Sequence, residues 1–387
     1  MTADAVHGES QDGIRLFLCY NKSSEIQQEN SDCSYSNGEW QFMNQVIQTV
    51  LAAFSNQNIE INTARKLANL KKLDPLHLWV EKEDIVIKTE CGKTPLRLYF
   101  PSEETKRQKE EISSAIFFIH GGGWSTESVE TYDRICSMLS KSVDKTVISV
   151  EYRLAPEYPF PTGLEDCYLA ARALYQGKIF PKIEPGQISV MGDSSGGNLA
   201  AALCLLARDR GEFSIHKQIL VYPAVNNCYT LDSAYDSIRE NGEGYLLTRG
   251  KMHDYLQLYI GKQEDLKSPY VAPVLAEDLT NMPETLVLSA EFDPLRDEGE
   301  DYAKRLKEAG NKVTCYRIAG AFHGYFALGV SRLHVEESFA YIDHFLREGE
   351  RCRKRNVHSG ESWTMQPRHF RQQPGRKIPG YSGCIVN

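Results

Sequence analysis

Apolar residues between about residue 84 and residue 346 follow two patterns that alternate along the chain. Short apolar runs predict strands at 84–88, 96–100, 114–119, 146–152, 187–191, 218–222, 285–290 and 312–318. Apolar residues spaced by three or four positions predict helices at about 164–175, 195–210 and 297–309, and a last helix that stops at Gly349. Strands that alternate with helices are typical of βαβ units, so the sequence predicts an α/β fold with a mostly parallel central sheet.

The segments outside this alternation differ from it in composition. The chain begins with a polar stretch without periodicity, and an Asn- and Asp-rich interruption that contains one amphipathic run, 252–260, follows the sixth predicted strand. Two early helical patterns, one from Met43 to Phe54 and one around Ala64, could pack over a site formed elsewhere. We therefore predict a poorly ordered segment 1–36, helices within 37–80, an α/β core of 81–224 and 276–350, an inserted segment 225–275 and a basic, flexible tail 351–387.

Composition narrows the class of protein. With 387 residues, 41% of them hydrophobic, the chain can bury a sizeable core. The net charge of -8 argues against nucleic acid as a partner, and no apolar stretch reaches the ~20 residues that cross a bilayer. The ten cysteines include no C-x-x-C pair, and residues 1–7 lack the pattern of a secretory signal. We expect a cytoplasmic protein without a metal ion or a cofactor.

A candidate nucleophile lies at the end of the fifth predicted strand. Residues 192–196 read Gly-Asp-Ser-Ser-Gly, which fits the G-x-S-x-G pattern with Ser194 at its centre. Small residues on either side allow a strained turn that projects the serine hydroxyl beyond the sheet. A free serine is a weak nucleophile, so this hypothesis requires a base, a group that orients the base, and donors for the oxyanion.

A glycine-rich loop follows the third predicted strand, which ends at Ile119. It reads His120-Gly121-Gly122-Gly123-Trp124. Three consecutive glycines let the main chain fold closely around a small ligand and direct bare N–H groups at it, as a developing oxyanion requires. His120 lies where these donors begin, so we interpret it as a brace for the loop and not as the base.

Candidates for the orienting acid and the base follow the last two predicted strands. Glu291, Asp293, Asp297 and Glu298 come after the strand that ends at Ala290, where acids face the active edge of a parallel sheet. Asp297 and Glu298 fit the first turn of the next helix, so Asp293 is our choice and Glu291 the alternative. His323 follows the last strand in a glycine-flanked loop, and a histidine there can both take and return a proton. Ser, then acid, then His is the chain order of an α/β-hydrolase triad.

Taken together, these motifs resemble the hormone-sensitive-lipase family of α/β-hydrolases, in its bacterial carboxylesterase branch. The resemblance spans about residues 84–346 and rests on the motifs HGGGW at 120–124, YRLAPE at 152–157, GDSSGGN at 192–198, DPLRDEG at 293–299 and FHG at 322–324. It implies an α/β-hydrolase fold with helices on both faces of the sheet and a helical cap made of the N-terminal helices and part of the inserted segment. It also implies a role for each matching residue: nucleophile Ser194, base His323, orienting acid Asp293, and an oxyanion hole from the N–H groups of Gly121, Gly122 and Ser195.

The resemblance further implies a carboxylesterase that hydrolyses small esters with short acyl chains. Two residues depart from the family pattern. Ser195 stands where Ala is usual, although only its backbone N–H is needed, and Tyr325 replaces the more usual Phe. The alternatives are a non-catalytic small-ligand receptor on the same fold, or a sugar O-deacetylase or amidase with the same triad. The sequence leaves the subunit number open, a homodimer included.

Overall fold

The computed structural model describes residues 61–69, 80–329 and 331–357. Its helices are α1 (Ile61–Asn69), α2 (Glu103–Arg107), α3 (Asp133–Val143), α4 (Thr162–Tyr175), α5 (Ser195–Arg210), α6 (Asp236–Glu240), α7 (Arg249–Tyr259), α8 (Arg296–Glu308), α9 (Tyr325–Leu328) and α10 (Arg332–Val357). Its strands are β1 (Lys82–Thr89), β2 (Gly92–Tyr99), β3 (Ala115–Ile119), β4 (Thr146–Val150), β5 (Ile188–Asp193), β6 (Lys217–Val221), β7 (Glu284–Phe292) and β8 (Val313–Phe322). Each of the eight predicted strands overlaps one of these.

The strands form one sheet in the order β1-β2-β4-β3-β5-β6-β7-β8. Strand β2 pairs antiparallel with β1 and with β4, and the pairs from β4 through β8 are parallel. The carboxyl ends of β3, β5, β6, β7 and β8 therefore point toward the same edge of the sheet. This mostly parallel sheet confirms the predicted fold class.

Helices cover both faces of the sheet because its central strands are apolar on both sides. In β3, Phe117 and Ile119 belong to one buried cluster together with residues of α4, α5 and α8. Ile116 and Phe118 point the other way and belong to a second cluster with residues of α3 and α10. Helix α5 begins at Ser195, just after the carboxyl end of β5, so its N-terminus lies at the edge of the sheet where ligands bind in open α/β folds.

The last helix is longer than the sequence suggested. We expected it to stop at Gly349, but α10 continues through that residue to Val357, so the first seven residues of the predicted flexible tail, 351–357, are helical. A glycine inside a helix costs only about 1 kcal/mol, and the Glu, Arg and Lys residues that follow are good helix formers. The rest of the tail lies outside the described residues, as do the segment 1–36 and the predicted helix from Met43 to Phe54.

Candidate active site

Ser194 occupies a sharp turn between β5 and α5. Its φ of 55° and ψ of -122° lie outside the regions that residues with side chains usually adopt. A Cβ on Gly192 would lie 2.2 Å from the carbonyl oxygen of Gly196, and a Cβ on Gly196 would lie 2.1 Å from that of Ile119. Both glycines are therefore required sterically, and the tight turn that they permit holds Ser194 in its strained conformation.

The three residues predicted to form the triad lie in hydrogen-bond contact. The Ser194 Oγ is 2.9 Å from Nε2 of His323, and Nδ1 of His323 is 2.7 Å from Oδ2 of Asp293. The other oxygen of the fully buried Asp293, Oδ1, accepts the N–H of Leu295 at 2.9 Å. Because a carboxylate can only accept, Nδ1 of the histidine carries the proton toward Asp293, and Nε2 is left to accept the serine proton.

The competing acids have other partners. Oε2 of Glu291 accepts the N–H of Gly320 at 2.6 Å, and Oδ2 of Asp297 accepts the N–H of Ser237 at 2.7 Å. Glu298 is fully buried, which raises the pKa of its carboxyl well above the usual value, and it accepts the N–H of Val225 at 2.9 Å. Of the four candidate acids, the structure brings only Asp293 to His323.

The glycine loop differs in one respect from the expected oxyanion hole. The N–H of Gly121 donates to Oδ1 of Asp193 at 3.0 Å, so this amide already has an acceptor. Within the described ranges, the N–H groups of Gly122, Gly123 and Ser195 donate to no protein acceptor. Of the three amides expected to form the oxyanion hole, that of Gly121 therefore has a protein acceptor, whereas those of Gly122 and Ser195 have none in the part of the chain that the structure describes, and neither does that of Gly123.

His120 is held inside the loop. Its ring stacks on Tyr152 with centroids 4.5 Å apart, and its Nδ1 lies 2.9 Å from the carbonyl oxygen of Gly121. The hydroxyl of Tyr152 in turn donates to the His120 carbonyl oxygen at 3.0 Å. These contacts agree with a bracing role for this buried histidine.

The comparisons with known proteins identify the family. A family model described as an alpha/beta hydrolase fold matches residues 116–327, which include the whole candidate site. The chain belongs to the hormone-sensitive-lipase family of α/β-hydrolases. Over 270 residues this hydrolase is 39% identical to an arylesterase of Saccharolobus solfataricus, an alignment that covers 70% of this chain and 84% of the relative.

Two further relatives agree with this assignment. An ethyl acetate hydrolase of Pseudomonas putida is 31% identical over 68% of this chain and 82% of its own length. The solved structure of a hyperthermophilic esterase from the archaeon Pyrobaculum calidifontis superposes with a TM-score of 0.71 at 35% identity, covering 80% of this chain and 98% of that chain. The protein is a carboxylic ester hydrolase.

Two segments outside the alternating core pack against the site loops of the hydrolase. From α7 in the inserted segment, Tyr259 stacks on Trp124 at 4.6 Å, and the Tyr255 ring lies so close to Gly123 that a Cβ there would be 2.5 Å from it. From α1, Arg65 donates to the carbonyl oxygen of Ser125 at 2.8 Å. The three-glycine motif is thus also a packing requirement, because the third glycine is covered by an aromatic ring.

The sequence analysis assigned no role to Asp193, although its carboxylate contacts the glycine loop of the hydrolase. A signal was available in the sequence, since Asp193 directly precedes Ser194 at the carboxyl end of a strand, where acids face the ligand-binding edge of the sheet. The structure describes no group of three or more His, Cys, Asp or Glu residues that could hold a metal ion. Over the same residues, none of the helices has the length and apolar character needed to span a bilayer.

Proposed function

We propose that this hydrolase cleaves short-chain acyl esters through an acyl-enzyme formed on Ser194. The observation that carries the proposal is the continuous hydrogen-bonded chain from Ser194 through His323 to Asp293, with separations of 2.9 and 2.7 Å. His323 removes the serine proton as Oγ attacks the ester carbonyl. It then protonates the departing alcohol, and in a second half-reaction it activates the water that releases the acid.

In this mechanism, the negative charge that develops on the carbonyl oxygen is stabilised by main-chain donors. Among the residues that the structure describes, no protein acceptor takes the amides of Gly122, Gly123 and Ser195. Ser195 directly follows Ser194 and begins α5, whose N-terminal dipole favours an anion. Asp293 keeps the imidazole in the required tautomer and stabilises its protonated form. Its burial strengthens this interaction because little solvent screens it.

We further propose that α1 and the segment 225–275 act as a cap that limits the acyl chain. The support is the packing of Tyr255, Tyr259 and Arg65 on the glycine loop and its continuation. Bulky side chains there leave less room beside the oxyanion donors, which favours small acyl groups. One relative is named for ethyl acetate, the ester of a two-carbon acid.

The test uses two adjacent serines. The Ser194→Ala variant should lose hydrolysis of p-nitrophenyl acetate and butyrate and labelling by a fluorophosphonate probe, while its thermal unfolding stays that of the parent. The Ser195→Ala variant is the matched control, because only the backbone N–H of this residue has a role, and it should keep both. Activity in folded Ser194→Ala, or labelling lost only in Ser195→Ala, would contradict the mechanism.

A panel of substrates tests the chain-length preference. p-Nitrophenyl esters from acetate to palmitate should show kcat/KM falling with acyl length, and a maximum at the long end would refute the cap argument. The same panel with p-nitroacetanilide and an acetylated sugar separates an esterase from an amidase or a deacetylase with the same triad. A receptor would neither turn over these esters nor react with the fluorophosphonate.

A further inference from the structure

The carboxylate of Asp193 joins three parts of the site. This residue is 1% exposed and ends β5 immediately before Ser194. Its Oδ1 accepts the N–H of Gly121 in the glycine loop at 3.0 Å. Its Oδ2 accepts the hydroxyl of Tyr132 at 3.0 Å and that of Tyr222 at 3.3 Å. A buried carboxylate with this many donors is held in one geometry, because loss of any donor leaves charge uncompensated.

The hydroxyls of the two tyrosines stay protonated and donate hydrogen bonds to Asp193 throughout the pH range in which esterase activity would be measured. Burial, followed by the negative charge of Asp193, raises the pKa of both Tyr132 and Tyr222 well above that of free tyrosine. Each hydroxyl also accepts a main-chain N–H: Tyr132 from Gly121 at 3.1 Å and Tyr222 from Ala327 at 3.2 Å. The hydroxyls are therefore oriented from both sides, with their protons directed to the carboxylate.

On one side, the hydrogen bonds of Asp193 extend to the glycine loop. Gly121 directly precedes Gly122, so its hydrogen bond to Asp193 anchors the main chain immediately before the next two amides of the loop. The fit is close, because a Cβ on Gly121 would lie 2.9 Å from the Tyr132 hydroxyl and 3.0 Å from Oδ2 of Asp193. A shift of the loop away from the carboxylate would carry the Gly122 and Gly123 donors with it.

On the other side, the contacts of Asp193 extend through Tyr222 to His323, the proposed base. The ring of Tyr222 packs against the imidazole of His323, with centroids 4.7 Å apart and planes inclined by 54°. Tyr222 itself has a φ of 35°, a strained value for a residue with a side chain, and its hydroxyl is anchored on Asp193. The contact limits rotation of the imidazole away from Ser194.

We propose that Asp193 is a positioning residue that fixes the oxyanion amides and the catalytic imidazole relative to the nucleophile through Tyr132 and Tyr222. The inference rests on the proposed function of Ser194. It implies that disturbing the network lowers kcat while substrate binding in the ground state, and so KM, changes little, since the affected donors act on the transition state. A misplacement of about 1 Å can cost on the order of 100-fold in rate.

The experiment uses hydroxyl deletions, which keep the packing of each ring. The variants Tyr132→Phe, Tyr222→Phe and Asp193→Asn are compared with Tyr175→Phe, a matched control that removes a buried hydroxyl bonded to the Ile188 carbonyl oxygen at 3.2 Å. For each variant, kcat and KM are measured for p-nitrophenyl butyrate, and kcat is calculated from the concentration of active sites as titrated with a fluorophosphonate. Affinity for an alkyl boronic acid, which forms a tetrahedral adduct with the serine, is measured beside them.

We expect kcat and the affinity for the boronic acid to fall in parallel in the three network variants, with KM unchanged. In the double variant Tyr132→Phe/Asp193→Asn, the fold reduction in kcat should be smaller than the product of the two single reductions. The Tyr175→Phe control should lose stability only. Network variants with the kcat and boronic acid affinity of the parent, at equal or lower stability, would overturn the positioning role. That result would leave the function of Ser194 intact, whereas an active Ser194→Ala variant would remove the function itself.

Discussion

The orienting role of Asp293 leads to a prediction whose direction follows from one backbone contact. In the Asp293→Asn variant, one end of the amide must accept the N–H of Leu295, which lies 2.9 Å from Oδ1 of the parent residue. Only the amide oxygen can accept, so the NH2 group faces Nδ1 of His323 in place of Oδ2. The opposite orientation would set two N–H donors against each other.

The consequence is a change of tautomer. Facing an NH2 donor, Nδ1 of His323 becomes the acceptor and Nε2 carries the proton, so the imidazole can no longer take the proton of Ser194. In a serine-protease triad, the same exchange lowers kcat by about 10⁴, which corresponds to about 5 kcal/mol of transition-state stabilisation. We expect a loss of that order here, because the histidine is held between the same two kinds of partner.

The assay is kcat/KM for p-nitrophenyl acetate, with thermal unfolding measured on the same preparations. Glu291→Gln is the matched control, since the Gln amide oxygen can still accept the N–H of Gly320. It should keep most of its activity. If Asp293→Asn stayed within about tenfold of the parent, a difference of only about 1.4 kcal/mol, the tautomer argument would fail. A larger loss in Glu291→Gln would transfer the role to that residue.

Two other contacts yield predictions. Arg65 donates to Glu157 at 2.7 Å and lowers the pKa of that carboxyl from 4.5 to about 2, so the contact is fully present above pH 4.5 and is lost as the pH falls toward 2. The protection of the α1 amides against hydrogen exchange, relative to the intrinsic exchange rate at each pH, should fall over that interval, and an Arg65→Ala variant should show low protection at every pH. Unchanged exchange in the variant would show that the ion pair does not hold α1. Gly123→Ala adds a Cβ 2.5 Å from the Tyr255 ring and should lower kcat, whereas Gly211→Ala, with a similar positive φ but open space around it, should lower stability by about 1 kcal/mol and leave kcat unchanged. Equal kcat in both would exclude the steric argument.

The sequence by itself was sufficient for the fold class and for the three residues that meet at the candidate site. Strand positions follow from local apolar patterning, and parallel strands bring their carboxyl ends to one edge of the sheet. Ser194, Asp293 and His323 each follow such an end, so their proximity could be inferred without coordinates. The small residues around Ser194 were informative for the same reason, because the need for a tight turn is local.

Only the tertiary structure decided which amides are free to bind an oxyanion. Gly121, Gly122 and Gly123 are the same residue type, so the sequence does not distinguish them. The register that pairs Ile119 with Gly192 brings Gly121 to the side chain of Asp193, which accepts a hydrogen bond from its N–H. The covering of Gly123 by Tyr255 and the attachment of α1 through Arg65 likewise depend on residues far apart in the chain. Such partners are set by how strands pair and helices pack, and no local pattern of residues records them.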